Sequence, residues 1–374
     1  MKSFTLLAVL GLVGYASAGY PFCKGQFAST TQHCTKFQFT KRAPPCVNTA
    51  NCTTFYDISG LPDQGIDDHT AKMAQLITNV FENGNTVMGY AYVENLKDNR
   101  GLTKPPRDQT TFRCFAIVIS HKVFSSPPLL SGYIGFTSGT NDAYTVVQEY
   151  NKRTNNKNNL YKFTPELARL SKLPFCDVKR GSVTKLGQPY FKAWEKSACT
   201  DPRFVETQID VGRSMYLHPA LKFAASVGVK SNIGKAFFYD TIIQHGWQFV
   251  EPLINIRRII KLTGPRGKDS EQAYLIRFLN TRRSLMCCFP DNVWPPSADR
   301  VSDLTNLINS PAKWARNKDL KNPVNLAVYG VTVKGTENMN YDSSNCKKYK
   351  KSRGWSLPKG KSLPIPGSTK TCPK

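Results

Sequence analysis

The chain has 374 residues, 40% of them apolar, and a formal net charge of +25. This length allows one large or two medium domains, and the apolar fraction is sufficient for a substantial core, so a chain without a folded core is excluded. The charge suits polyanionic surfaces such as nucleic acid, acidic polysaccharide or phosphomannan.

The first 18 residues have the pattern of a secretory signal peptide. Lys2 gives a positive start, residues 4–13 form an apolar run, and Ala16-Ser17-Ala18 is a small-residue cleavage pattern. No later stretch is apolar enough to span a membrane. The sequence therefore predicts a secreted, extracellular protein that has no membrane span.

Export permits disulfide bonds, and the chain contains 11 cysteines, an odd number. Four of them lie in residues 19–56, which we interpret as a Cys-rich, disulfide-stapled segment that could form an independent module. Cys287 and Cys288 are adjacent, and such neighbours pair with other cysteines or stay buried more readily than they pair together. There is no C-x-x-C pair and the five His are scattered, so the sequence predicts no metal site and no cofactor.

Residues 67–84 give the clearest helical pattern. Two aspartates can cap the start, Gly84 can end the helix, and the apolar residues recur at helical spacing. Glu82 falls in the last turn, roughly opposite the apolar stripe. There it meets the negative end of the helix dipole beside Phe81, which favours a carboxyl that keeps its proton, as a general acid must. Taken alone, however, such a position is more typical of a solvated glutamate.

A second acidic residue follows on a polar turn. Residues 87–93 alternate loosely like a strand, and residues 97–101 (KDNRG) form a turn in which Asn and Gly tolerate positive φ. Asp98 beside Arg100 should stay ionised, which suits a base; the alternative is an Asx-type turn with no chemistry. Residues 57–100 hold seven acids against three bases, so this segment is acidic within a basic protein.

Two buried charges are predicted in the C-terminal half. Residues 219–246 can form one long helix, bent near either of two glycines, and Asp240 sits inside its apolar run. Residues 271–286 form another helix, and Arg282 lies on its apolar stripe, four residues after Phe278. Because a buried charge is costly unless it is paired, we expect an Asp240–Arg282 ion pair, with structural and functional roles equally open.

The end of the chain changes in composition. Residues 299–308 predict a short helix and residues 324–333 an extended segment, whereas residues 336–374 are basic and rich in Pro and Gly. We interpret this last part as a flexible basic tail that a Cys346–Cys372 disulfide could close. A solvated solubility tail is favoured over a specific ligand, although the tail could also contact acidic cell-wall polymers.

Several short motifs of the sequence form one pattern. They are Phe81-Glu82-Asn83, residues 94–103 (ENLKDNRGLT), residues 135–142 (GFTSGTND), Phe238-Tyr239-Asp240 with His245-Gly246, and Phe278-Leu279 with Arg282. In their order and spacing they resemble the family 46 chitosanases, glycoside hydrolases that cut chitosan within the chain. The resemblance covers roughly residues 66–333.

The resemblance implies a mainly α (α+β), two-lobed, lysozyme-like fold, with a small β-sheet in the minor lobe and a long bent helix linking the lobes. It implies an inverting hydrolysis in which Glu82 is the general acid and Asp98 the general base, while Thr103 helps to hold the attacking water. The residues that match substrate-binding positions of the cleft are Arg100, Glu94, Asp142 and Glu271. Asp240 and Arg282 match a charge network that supports the acid.

One departure from the family pattern concerns this network. The family has a basic residue in the loop before Glu271, and in this sequence Thr263 stands at the corresponding position. The nearby bases that could replace it are Arg257, Arg258 and Arg266. The sequence leaves open whether one of them takes that place around Glu82.

A second departure is an interruption at residues 104–131. In the family, the equivalent of Thr103 is followed almost directly by the equivalent of Gly132, whereas here a segment with two Pro-Pro pairs intervenes. Without it Cys114 is lost and the cysteine count becomes even. We interpret the segment as a late insert, either a surface loop or untranslated sequence retained in the gene model.

These observations predict a secreted endo-chitosanase that cleaves β-1,4 linkages of chitosan or partially deacetylated chitin, with its catalytic domain at residues 57–335. The expected enzyme is a monomer that binds no nucleic acid. The alternative is a non-catalytic, cationic cell-wall-binding protein that keeps the fold. Retention of both Glu82 and Asp98 favours the enzyme, whereas the interruption and Thr263 favour the alternative.

Overall fold

The structure is a computed structural model. It describes residues 20–37, 56–95, 129–139, 141–173, 182, 184–247, 254–289, 294–339, 346–349 and 363–364. The predicted signal peptide and most of the interruption lie outside these ranges. In the part of the chain that is described, no helix is long and apolar enough to cross a membrane.

The fold is mainly helical, which confirms the predicted fold class. In chain order the helices are α1 (Thr31–Cys34), α2 (Asp68–Asn83), α3 (Asp142–Arg153), α4 (Thr164–Ser171), α5 (Gly187–Thr200), α6 (Pro202–Gly212), α7 (His218–Ser226), α8 (Asn232–His245), α9 (Ile256–Thr263), α10 (Glu271–Cys287), α11 (Ala298–Asn306) and α12 (Pro311–Asn317).

Two small antiparallel sheets accompany the helices. The first contains β1 (Val93–Asn95), β2 (Leu129–Ser131) and β3 (Phe136–Thr137) in that order. The second is a hairpin of β4 (Val324–Leu326) and β5 (Val331–Val333). In the first sheet Asn95 pairs with Leu129, so the last three residues of the predicted interruption form its central strand.

Helix α2 has the boundaries and the buried face that its sequence predicts. The Asp67 side chain caps its start by accepting a hydrogen bond from the Thr70 amide, and Gly84 ends it in the left-handed region at φ 74°. Its apolar stripe is fully buried, and the helix packs along α8. This packing fixes the last turn of α2, where Glu82 lies.

The prediction of a single bent helix over residues 219–246 is wrong. Helix α7 ends before Gly228, which has φ +74°, and α8 begins after Ser231, whose hydroxyl accepts from the Gly234 amide. The long helical run instead joins α6 to α7 through a π-helical turn at Arg213–Leu217. Pro219 has no N–H for the Met215 carbonyl, and that carbonyl accepts from the indole of Trp247 at 2.6 Å.

Helix α10 passes through the core beside α8 and α11. The rings of Phe278 and Phe238 stack with centroids 4.6 Å apart, and both side chains are fully buried. Arg282, one turn after Phe278, is also fully buried, as the sequence predicted. Helices α8 and α10 therefore bring the two predicted core charges together.

Disulfide bonds attach both ends of the chain to this core. Cys23 pairs with Cys287 and Cys34 with Cys288, which confirms that the adjacent cysteines bond elsewhere. The described part of the Cys-rich segment is therefore fastened to α10 and is not an independent module. Cys346 pairs with Cys199 in α5, so the predicted Cys346–Cys372 bond is wrong.

The described residues of the predicted flexible tail also contact the domain. The Lys348 ammonium lies 2.6 Å from a carboxylate oxygen of Glu195 in α5. The Pro364 carbonyl accepts from the Ser214 hydroxyl at 2.5 Å. These contacts correct the prediction of a free tail for the residues concerned.

Candidate active site

Glu82 lies at the end of α2, between the core and solvent. Its side chain is 19% exposed, whereas the preceding Phe81 is buried. The Phe81 ring packs edge-on against Tyr329, with centroids 5.1 Å apart. Because the Glu82 side chain stays partly exposed next to this aromatic pair, its carboxyl is available to a ligand.

Arg300 in α11 contacts Glu82 directly. Its Nη2 atom donates to Glu82 Oε1 at 2.8 Å and to Asp240 Oδ1 at 2.7 Å. Burial by itself would lower the pKa of Arg300, but the Asp240 and Glu82 carboxylates outweigh it and hold that pKa above its ordinary value. Arg300 therefore stays charged and joins the two acids.

Behind Arg300, Asp240 binds a second guanidinium, that of Arg282. The Arg282 Nη1 atom donates to Asp240 Oδ2 at 2.7 Å and to the Thr241 hydroxyl at 3.0 Å, and Nη2 donates to Gln244 Oε1. This is the ion pair predicted from the sequence. Burial, the largest influence, lowers the pKa of Arg282 to about 10 although Asp240 opposes it, so the guanidinium remains charged at neutral pH.

The second base of the network is none of the three arginines expected from the sequence. Thr263 donates to a carbonyl of its own helix, α9. The three proposed replacements bind elsewhere: Arg257 covers the Tyr56 ring, Arg258 donates to the Phe37 carbonyl, and Arg266 donates to the carbonyls of Gly228 and Asp269. Arg300 supplies the charge instead.

A signal for Arg300 was present in the sequence. It precedes Leu304 by four residues and Ile308 by eight, so it falls on the apolar stripe of the predicted helix over residues 299–308. This is the same pattern that placed Arg282 four residues after Phe278. Applied to both helices, it would have predicted two buried bases for Asp240.

Asp142, predicted as a substrate contact, is buried. Its Oδ1 atom accepts from the backbone amides of Thr137 and Ala143 at 2.7 and 2.9 Å, and Oδ2 accepts from the Tyr216 hydroxyl at 2.5 Å. Only 3% of its surface is exposed. These donors place Asp142 as the residue that joins β3, the start of α3 and the π-helical turn.

Glu271, the first residue of α10, holds the loop before α8. Its carboxylate accepts from the backbone amides of Ser231 at 2.8 Å and Lys230 at 3.1 Å. A carboxylate in this position also faces the positive end of its own helix. Glu271 thus fixes the ends of two core helices relative to each other.

The remaining predicted site residues lie in β1 or in the connection between β1 and β2. Asp98, Arg100 and Thr103 lie outside the described residues, and only the backbone is described for Glu94, opposite Leu130. The interruption follows Thr103 in this same connection. The candidate base and the interrupting segment therefore share one link between two paired strands.

The described part of the site offers acid–base chemistry with charge compensation. Glu82 is a partly exposed carboxyl backed by two arginines and one aspartate, and the four formal charges balance. Among the described residues, no group of three or more His, Cys, Asp or Glu side chains could hold a metal ion. A carboxyl held in this way can exchange a proton with a ligand while its surroundings stay fixed.

Comparison with known proteins assigns the family. The model of glycosyl hydrolase family 46 matches residues 129–323, just over half of the chain. A chitosanase of Bacillus subtilis (strain 168) is 33% identical over 223 residues, which cover 58% of this chain and 68% of that protein.

Solved structures agree with the sequence comparison. A family 46 chitosanase of Gynuella sunshinyii in complex with chitotetraose has 25% identity and a TM-score of 0.55, covering 72% of this chain and 98% of that one. A native chitosanase of Bacillus subtilis MY002 has 29% identity and the same TM-score, covering 72% and 100%. This chain therefore belongs to glycosyl hydrolase family 46.

Proposed function

We propose that the protein is an endo-acting chitosanase that hydrolyses β-1,4 linkages between glucosamine units. Membership of family 46 supports glycoside hydrolysis, and the similar proteins named above are chitosanases. The observation that carries the proposal is the partly exposed carboxyl of Glu82, which is bound to Arg300 and backed by the Asp240–Arg282 pair.

In the proposed mechanism Glu82 donates a proton to the glycosidic oxygen. Asp98 takes a proton from a water molecule that attacks the anomeric carbon on the opposite face of the sugar, and Thr103 orients this water. Such a reaction inverts the anomeric configuration, and it requires the two carboxyls to stand roughly 6.5–9.5 Å apart. The placement of one acid at a helix end and the other in the β1–β2 connection supports this arrangement.

Acidic residues explain the choice of a deacetylated sugar. Glucosamine units carry ammonium groups, which carboxylates bind through charge-assisted hydrogen bonds. We propose Glu94 as a contact for an ammonium group, and Arg100, which is itself a cation, as a contact for the uncharged polar groups of the sugar. For Asp142 and Glu271 their bonds to the backbone favour a role in shaping the cleft, because these carboxylates already accept hydrogen bonds from the protein.

We also propose that the protein is secreted. The pattern of residues 1–18 is the primary support, and three disulfide bonds agree with an oxidising compartment. Sequencing the N-terminus of protein recovered from the culture medium would show whether the mature chain begins at Gly19.

Release of reducing ends from chitosan, chitin and bacterial cell wall tests the proposed function. We expect wild-type protein to act on chitosan, and Glu82→Gln and Asp98→Asn to lower kcat by roughly 10²–10⁴-fold without unfolding. Glu195→Gln is a matched control, because Glu195 is also partly buried and bound to a base, Lys348, outside the site. It should keep full activity.

The stereochemistry provides a second measurement. Proton NMR during the first minutes of hydrolysis should show the α-anomer as the initial product from β-linked chitosan. Folded wild-type protein that releases no reducing ends from chitosan would contradict the proposed function, and an initial β-anomer would contradict inversion alone.

A further inference from the structure

The N-terminal segment, residues 20–37, is joined to one end of one helix. Its two disulfide bonds reach Cys287 and Cys288, the last residue of α10 and the residue after it. The segment precedes the residues that the family model matches, 129–323. The segment therefore lies outside the matched region, but its two disulfide bonds attach it to cysteines inside that region.

Non-covalent contacts extend this attachment along α10. The Arg283 Nε atom donates to the Phe22 carbonyl at 2.8 Å, and its guanidinium lies over the Phe27 ring, 4.2 Å from the centroid. Such a guanidinium–ring contact stabilises the docked segment. Arg258 in α9 also donates to the Phe37 carbonyl, so both ends of the segment bind a core helix.

These contacts lie next to the charge network that holds Glu82. Arg282 precedes Arg283, and successive helical residues point about 100° apart, so one arginine binds Asp240 while the other binds the segment. Cys287 is five residues after Arg282, about 7.5 Å along the helix axis. The chain then leads into α11, which carries Arg300.

The cysteines Cys287 and Cys288 therefore lie in the stretch of chain that links the two arginines of the network. Arg282 comes before them and Arg300 after them, and both bind Asp240. The same link contains Trp294, whose ring packs at 4.7 Å against His245 at the end of α8, the helix of Asp240. A shift at the end of α10 would reach all three charged residues.

We propose that residues 20–37 are a positioning element for the reaction: by fixing the end of α10, they hold Arg282 and Arg300 in the geometry that orients Glu82. The inference rests on the proposed function, because its effect is on the group that donates the proton. The segment acts through the arginines and does not touch the substrate.

The first experiment removes both crosslinks together with the four thiols that form them. In the variant Cys23→Ser, Cys34→Ser, Cys287→Ser, Cys288→Ser we expect kcat for chitosan to fall by about tenfold with KM little changed, since misplacement of a catalytic group affects the chemical step. Amide hydrogen exchange within residues 278–306 should become roughly tenfold faster. Both are measured well below the melting temperature.

A matched control removes the third disulfide. The variant Cys199→Ser, Cys346→Ser releases residues 346–349 from α5, outside the network. It should lower the melting temperature while leaving kcat and the exchange of residues 278–306 unchanged. An equal loss of kcat in both variants would show a general stability effect and would overturn the proposal.

A third variant keeps all disulfides and serves where the fourfold variant does not fold. Arg283→Gln removes the bond to Phe22 and the contact with Phe27, and should change kcat and exchange in the same direction by a smaller factor. Unchanged kcat and exchange in the folded variant would overturn the positioning role. If wild-type protein does not hydrolyse chitosan, the proposed function fails, whereas the exchange experiment still tests the attachment.

Discussion

At Glu82, one hydrogen-bond donor connects the candidate acid to the core. The Arg300 Nη2 atom is bound by Glu82 on the solvent side and by Asp240 on the buried side. Asp240 in turn binds two guanidiniums, one with each carboxylate oxygen. Asp240 is therefore the residue on which the charge balance of the network depends.

We predict that Asp240→Asn strongly destabilises the protein. The amide keeps the shape of the side chain but removes the negative charge between two buried arginines, and breaking a buried pair in this way costs about 3–5 kcal/mol. The free energy of unfolding, measured by urea denaturation at neutral pH, should fall by this amount. Activity should fall as well, because Arg300 loses its buried partner.

The same substitution at the Asp269–Arg277 pair is the control. Those side chains are about 40% exposed, so solvent screens the pair and Asp269→Asn should cost less than about 1 kcal/mol. Equal losses for the two variants would show that the Asp240 network contributes no more than an exposed pair.

At this scale the sequence predicted three of the four charged residues of the network. Asp240 and Arg282 interrupt apolar helical stripes, and the cost of an unpaired buried charge linked them. Arg300 was not predicted, although it interrupts the apolar stripe of α11 in the same way, four residues before Leu304. The burial of Asp142 was not predictable, since its donors come from three segments that only the folded chain brings together.

Among the elements, the connection between β1 and β2 combines the predicted base with the interruption. Asn95 and Leu129 pair across the sheet, so residues 96–128 leave and return at the same place. Hairpin connections are usually two to five residues long, and longer ones are commonly functional. After removal of residues 104–128, residues 96–103, which contain Asp98 and Thr103, would connect β1 to β2.

We predict that deleting residues 104–128, which joins Thr103 to Leu129, leaves a folded and active enzyme. The paired ends stay in place, and the shorter link should stabilise the protein by about 1 kcal/mol through reduced loop-closure entropy. Cys114 is also removed, leaving ten cysteines. Thermal unfolding and hydrolysis of chitosan measure the two effects.

A deletion variant that folds but releases no reducing ends would show that the interruption is part of the working site. Transcript reads that span residues 104–131 in frame would exclude retained untranslated sequence. The two results are independent, because a translated segment can still be dispensable.

Helices with local signals were predicted well, whereas those set by distant contacts were not. Helices α2 and α10 follow their predicted boundaries because caps and apolar stripes lie within each segment. The π-helical turn before α7 depends on the bond between the Met215 carbonyl and Trp247, 32 residues away. No local pattern contains that bond, so the long helix was placed too late in the chain.

For the whole molecule, charge opposes the proposed substrate. The chain carries +25, and a glucosamine polymer is also positive, so they repel each other at long range. Residues 350–374 alone contribute seven bases and no acid. Residues 57–100, which hold seven acids against three bases, can attract the polymer locally.

We predict that kcat/KM for chitosan rises by a few-fold between about 0.01 and 0.1 M salt, because the screening length falls from about 30 to about 10 Å. A variant truncated after Tyr349, which keeps the Cys199–Cys346 bond, should show a weaker dependence on salt. A fall in kcat/KM over this range would mean that local attraction outweighs the net repulsion.

The attachment of the chain ends could not be predicted from the sequence. Cysteine positions allow many pairings, and only the fold places α10 beside the N-terminal segment and α5 beside Cys346. Composition made the tail look independent, although Lys348 and Pro364 contact the domain. The apolar patterns that predict core helices are local and repeat along each helix, whereas each of these attachments is a single contact between residues far apart in the sequence.

The bond between Cys34 and Cys288 also has a consequence for biosynthesis. Its partners are 254 residues apart, so at about 5–20 residues per second Cys34 waits roughly 10–50 s for its partner to be made. Any bond that Cys34 forms during this time is to a cysteine made before Cys288, and such a bond must later be exchanged through thiolate attack. The yield of correctly paired protein should therefore depend on the disulfide isomerase activity of the producing cell.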